Sequence, residues 1–183
     1  PGKNPVGGVG DLPFLPFKTW GKLIAGHEAI RANEHWKAEL KRWGAVPWYS
    51  NMLPQYEFFG VGDPPKNALD WEGKTVRGLG GIGEAMVKLG ASLKSAPAPE
   101  AYELLERGVV QAWSFPYSYT FGAYRLHEIS TWYTTNFQPG TNHCPTVVNA
   151  RAYAKLPDEW KALFEEAVPF AYKTLVAAYE AAD

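Results

Sequence analysis

Arg77 closes a short polar stretch, Lys74-Thr75-Val76-Arg77, that reads as a β-strand. An arginine delivered by a strand end to a cleft suits capture of a carboxylate. Its planar fork can hold both oxygens, and exclusion of water strengthens the pair. On the residues alone, an internal ion pair with Glu72 or Glu84 explains Arg77 equally well. Trp113, Phe115 and Tyr117 follow at the end of a later strand, where open α/β sheets bind their ligands. Ordinary packing accounts for those three rings just as well.

Other chemistry finds less support. Gly78-Leu79-Gly80-Gly81-Ile82-Gly83 contains the G-x-G-x-x-G spacing of a dinucleotide fingerprint, placed after a strand and before a helix. However, that strand is short and polar, and the next one, residues 92–95, ends without the acidic residue that would hold a ribose. Glycines that let the chain turn tightly into a helix are the better account. A small-molecule enzyme binding a phosphate or nucleotide at residues 78–83 is the alternative reading. Of His27, His35, His127 and His143, only His143 lies beside Cys144, and no second pair completes a metal site. No Gly-x-Ser-x-Gly elbow occurs, and nothing argues for hydrolysis or a cofactor.

The elements that must position these residues alternate between strand and helix. A loop with the apolar plug Leu12-Pro13-Phe14-Leu15 precedes a helical stretch from Thr19, its expected cap, to Gly44, its expected end. Short strands are predicted at residues 45–49, where Pro47 bars a fully paired central position, and at 55–59. Two βα units then run end to end: strand 74–77, helix 84–89, strand 92–95, helix 99–107, strand 109–113. Residues 117–127 read as helix, 129–136 as extended chain and 145–149 as strand. A long amphipathic helix covers 156–182, with Trp160, Leu163, Phe164, Ala167, Ala171, Leu175 and Tyr179 on one side. Pro169 is expected to kink or split it. This alternation gives an α/β class.

Composition narrows the function. The chain has 183 residues, enough for one substantial core or two small lobes. Hydrophobic residues make up 46% and charged residues 20%, which excludes wholesale disorder. Eight Trp, ten Tyr and nine Phe can fill a core or line a cleft for an organic ligand. A net charge of -1 without a basic run argues against a nucleic-acid partner. Cys144 is the only cysteine, so no intramolecular disulfide can form. No apolar run approaches the ~20 residues of a membrane span. No signal peptide is visible, and Pro1-Gly2-Lys3-Asn4-Pro5 reads as a mid-protein beginning.

An ordered set of short motifs resembles the extracytoplasmic solute receptors of TRAP transporters, the DctP-like family. The set comprises Asp11-Leu12-Pro13-Phe14-Leu15, Leu69-Asp70-Trp71-Glu72-Gly73-Lys74-Thr75-Val76-Arg77, Leu89-Gly90-Ala91, Pro97-Ala98-Pro99-Glu100-Ala101-Tyr102-Glu103-Leu104-Leu105, Gly108-Val109-Val110-Gln111, Thr146-Val147-Val148-Asn149 and Leu156-Pro157-Asp158-Glu159-Trp160. The resemblance implies a periplasmic-binding-protein-like two-lobed α/β fold of mixed sheets flanked by helices, here incomplete, with a long C-terminal helix. Residues 1–50 would belong to lobe I and 51–130 to lobe II, with 131–183 crossing back and forming a connecting helix. It implies a periplasmic receptor, not an enzyme, that captures an organic acid by lobe closure and hands it to TRAP membrane subunits without spanning the membrane itself.

The arginine after the lysine-x pair binds the ligand carboxylate in that family, which implies this role for Arg77. Trp113, Phe115, Tyr117 and Phe14 would shape the pocket. Phe115-Pro116 stands where many members carry Asn-Pro, and this suggests an apolar contact. Gln55 lies near the place of a second arginine used by sialic-acid-type members, which argues against that ligand. Gln111 replaces the usual acidic residue after Gly-Val-Val. A third possibility, an interaction module whose aromatic residues pack on a partner chain, would show hetero-association and no response to small ligands.

Overall fold

The computed structural model describes residues 4–182; Pro1, Gly2 and Lys3 of the expected opening loop lie outside the described residues. After a 3-10 turn at Gly7–Asp11 the elements are α1 (Trp20–Ala32), α2 (Glu34–Arg42), β1 (Ala45–Met52), β2 (Glu57–Gly60), β3 (Thr75–Arg77), α3 (Gly80–Lys88), β4 (Ser92–Leu93), α4 (Ala101–Glu106), β5 (Ala112–Phe115), α5 (Tyr117–Ala123), β6 (Trp132–Tyr133), β7 (His143–Asn149), α6 (Ala150–Ala154) and α7 (Asp158–Ala182). They form two units. One comprises residues 4–10, 16–53 and 142–181, and the other 11–15, 54–141 and 182.

In the first unit the predicted single helix from Thr19 is two. Thr19 caps α1 as expected, accepting from Lys22 N at 3.3 Å. The break falls at Asn33, whose backbone is extended (φ -67°, ψ 124°) and whose Oδ1 accepts from His35 N at 3.0 Å and Trp36 N at 3.2 Å. Asparagine competes with the helix backbone and wins as an N-cap. Gly44, at φ +65°, ends α2 where expected. Strands β1 and β7 pair antiparallel from Ala45↔Asn149 to Met52↔His143, with an irregularity between Pro47 and Tyr49 where proline lacks a donor.

Helix α7 runs unbroken through Pro169, contrary to the expected split. Packing on either side holds it: Val168 and Tyr172 are buried with Leu23, and Trp48 Nε1 donates to Phe164 O at 2.7 Å. The buried stripe is also rotated from prediction. Tyr179 stacks on Trp20 and Phe164 packs on Trp48, but Trp160 and Leu163 are more than half exposed. The Tyr172 hydroxyl donates to Glu28, which pairs with Arg31, which in turn reaches Glu165 at 3.0 Å.

The second unit holds a five-stranded sheet in the order β4-β3-β5-β2-β6. Strands β3, β4 and β5 are parallel, while β2 runs antiparallel to β5 and β6. Helix α3 starts at Gly80, four residues before the predicted helix, so the glycine run supplies its first turn. The strand predicted at 109–113 begins three residues later, at Ala112. Gly108 (φ +66°) closes α4, and Val110 N bonds back to Leu104 O at 3.1 Å rather than to a neighbouring strand. The predicted helix 117–127 stops at Ala123, since Arg125 is left-handed (φ 56°). Within the predicted extended stretch 129–136, only Trp132–Tyr133 pairs in the sheet.

A buried histidine marks the first unit. His27 has no exposed surface, neither ring nitrogen has a partner, and its ring centroid lies 5.0 Å from that of His143. Phe17 meets its ring edge-on at 6.2 Å. Burial, with a smaller push from His143, pulls the His27 pKa from 6.5 down to about 4. The folded value lies below the unfolded one, so the neutral ring's contribution is fully present above pH 6.5. It is lost as pH falls from 6.5 through 4. Urea unfolding across this window should show a loss of ~3 kcal/mol from this group. A His27→Leu variant should lose correspondingly less, and an identical pH profile for both proteins would refute the assignment.

Candidate functional site

The geometry around Arg77 begins with strand pairing. Gln111 N donates to Thr75 O at 2.8 Å, and the Gln111 side-chain Oε1 accepts from Thr75 N at 2.9 Å. Both backbone polar groups of Thr75 are thereby tied to the residue that leads into β5. The register then sets Val76 against Ala112 and Arg77 against Trp113. Paired residues of adjacent strands project to the same face, so arginine and indole must meet there.

The Arg77 Cζ lies 4.8 Å from the centroid of the Trp113 ring and 5.4 Å from that of Phe115. Arg77 is only 4% exposed. Its Nε donates to Ala96 O at 3.1 Å, but Nη1 is buried and has no hydrogen-bond partner. Neither internal ion pair considered from sequence forms. Glu72 and Glu84 are exposed, and Arg77 pairs with no carboxylate among the described residues. Burial lowers the Arg77 pKa from its ordinary value, opposed by the nearby phenols of Tyr56 and Tyr124. Guanidinium remains charged even so.

The structure therefore brings together Arg77, Trp113 and Phe115. Tyr117 is committed elsewhere: its hydroxyl donates to Thr134 O at 2.6 Å, with Phe58 O 3.2 Å away, tying α5 to strand β2 and to the residue that follows β6. Burial raises its pKa. Phe14, left-handed at φ 59°, is 56% exposed and meets Phe137 edge-on at 6.1 Å. Phe137 in turn stacks on Trp71 at 5.7 Å. Gln55 is half-buried in the link before β2.

Two residues escaped the sequence reading. Tyr56 is buried beside Gln55, and Tyr124 stacks on Phe115 with centroids 5.5 Å apart. The adjacency of Tyr56 to Gln55 was the available signal; nothing in the sequence placed Tyr124 over Phe115.

The glycine run has a packing explanation. A Cβ on Gly81 would overlap the Asp11 carbonyl oxygen and sit 2.8 Å from Pro13 Cδ. A Cβ on Gly83 would sit 2.8 Å from Gly78 O. The turn is thus filled by this chain's own residues 11–13. Among the described residues no group of three or more His, Cys, Asp or Glu could hold a metal, and no helix is long and apolar enough to cross a membrane.

Residues 68–183 match the family model described as bacterial extracellular solute-binding protein, family 7 (DctP). A monocarboxylate 2-oxoacid-binding periplasmic protein of Nostoc sp. (strain PCC 7120) is 29% identical over 118 residues, covering 63% of this chain and 32% of that protein. A TRAP periplasmic solute-binding protein from Desulfovibrio salexigens, solved with bound orotic acid, superposes with a TM-score of 0.81 at 20% identity, over 99% of this chain and 58% of that one. The apo open structure of one from Marinobacter aquaeolei VT8 gives 0.83 at 18% identity, over 99% and 60%. The chain thus spans about a third of the curated relative and about three fifths of these solved proteins. At these identities the structural likeness is one of fold: a periplasmic-binding-protein-like α/β architecture with a long C-terminal helix.

Substituting Gly81→Ala should destabilise the protein by about 1–3 kcal/mol, since backbone rather than a flexible side chain opposes the new methyl. Chemical denaturation measures this. An unchanged midpoint would mean that residues 11–13 do not lie on this turn.

Proposed function

The chain belongs to the bacterial extracellular solute-binding proteins of family 7, and from that premise we propose that it is part of an extracytoplasmic receptor capturing an organic acid for a TRAP-type transporter. Arg77 is the carboxylate anchor, with Trp113 and Phe115 forming the wall beside it.

The observation that carries this reading is a buried guanidinium with no carboxylate partner. A buried charge without a counter-ion is costly, and folded proteins keep one where a ligand or partner supplies the opposite charge. Rings at 4.8 and 5.4 Å attract the cation through their faces, but they leave the Nη1 donor open. An acid supplies the missing acceptor and the missing negative charge together. The Nostoc relative, named for monocarboxylate 2-oxoacids, and the orotate-bound neighbour are in keeping with a carboxylate ligand. A phosphate at residues 78–83 has no comparable support, because residues 11–13 occupy the turn.

A thermal-shift and calorimetric screen against mono- and dicarboxylic acids tests the anchor, since a ligand that prefers the folded state raises the melting temperature. Arg77→Ala should cost about 2–5 kcal/mol of binding, at least roughly thirtyfold in affinity, with the fold retained. Arg77→Lys should recover only part, because an ammonium lacks the planar fork. Undiminished acid binding by Arg77→Ala would sink the proposal.

A further inference from the structure

Beside the open Nη1 of Arg77 stands a second donor of the same kind. Trp113 has no exposed surface, and its indole Nε1 is buried without an acceptor. An orphaned indole is not by itself telling: Trp36 Nε1, in the other unit, has no partner either. The difference lies in the surroundings. Trp113 is paired in register with Arg77, its ring lies under the guanidinium at 4.8 Å, and both orphaned donors belong to side chains on one face of the sheet. Two buried N–H groups of adjacent side chains both lack what the site already lacks, an acceptor. Leaving either unmade costs free energy that a ligand can recover.

We infer that Trp113 is a specificity-determining residue, whose indole N–H donates to an acceptor carried by the bound acid next to its carboxylate. The inference rests on the carboxylate-anchor reading of Arg77. The preferred ligand is therefore an acid with an oxo or hydroxyl oxygen close to the carboxylate, rather than a plain hydrocarbon acid. The guanidinium carbon, 4.8 Å from the indole centroid, keeps the two side chains next to each other. Phe115, with its ring centroid 5.8 Å from that of Trp113 and 5.4 Å from the guanidinium carbon, packs beside both. A site built to donate to such an oxygen rejects the analogue lacking it, because the N–H is then left buried and unpaired.

Matched acids differing only in that oxygen separate the roles: pyruvate with propionate, and phenylglyoxylate with phenylacetate, titrated by calorimetry. The intact protein should prefer the oxo member of at least one pair by about tenfold or more. Trp113→Phe keeps a ring and removes the donor, so it should erase the preference by weakening only the oxo acid. Replacing Trp113 with benzothienylalanine, where sulfur takes the place of the N–H at nearly constant shape, should do the same and covers the case in which phenylalanine disturbs the fold. A merely structural tryptophan would change both members of a pair alike. Equal loss for both acids, or no oxo preference in the intact protein for either pair, overturns the inference. Arg77→Ala reports separately: loss of both acids upholds the anchor whatever Trp113 does, and retention of both removes the anchor itself.

Discussion

Strand register is the constraint on which the site depends. Strand β3 contributes only three residues, too few to hold a position by side-chain packing alone. Its placement comes from hydrogen bonds at both ends of Thr75 to Gln111 and from Lys94 N donating to Val76 O at 2.8 Å. Once those bonds form, the pleat leaves no freedom: Val76 enters the core and Arg77 lands over Trp113. A slip of one residue would exchange those faces, burying a different side chain and pointing the arginine away. Gln111, whose departure from the family pattern had no evident role in the sequence, acts as a clamp on this register.

The two units rely on different interactions. In the first, a long helix with a proline inside it is held by aromatic and hydrogen-bonded contacts on either side of that proline, which is why chain composition alone misjudged it. The Glu28–Arg31–Glu165 group is partly exposed, and such pairs contribute little individually, about 0–1 kcal/mol each. Burial of Leu23, Val168 and Tyr172 is the larger source of stability there. In the second unit, the fully buried large side chains come from the sheet (Phe58, Phe59, Val76 and Trp113) and from the helices packed on it (Ile82 and Met86 of α3, Leu105 of α4).

Sequence reading recovered what local rules decide. The alternation of elements, the Thr19 cap, the Gly44 stop and the strand ending in Arg77 all follow from residue type and spacing. Asn33 was also readable, since asparagine followed by Glu34 is an N-terminal signature, yet the apolar stripe across it masked the break. What stayed hidden depends on side-chain direction. Arg77 had two carboxylates within a few residues, and only the structure shows both facing solvent. Tyr117 and Trp113 looked equivalent at a strand end, but one hydroxyl is spent on backbone carbonyls while one indole is not. Tyr124 meets Phe115 from the C-cap of α5, and where that helix would end no periodicity announces.

If Arg77 is the proposed carboxylate anchor, its lack of an internal counter-ion also sets stability against function. An apolar residue of similar volume at that position would avoid the desolvation of a charge, and cores tolerate such exchanges well, often becoming more stable. The native residue is the poorer choice for the empty protein and the better one once an acid is present. In that sense an acid bound there, as proposed, would complete the fold by supplying a counter-charge that the chain itself withholds. Selection for thermal tolerance alone would drift toward methionine or leucine at this position and would erase the proposed anchor while improving the protein.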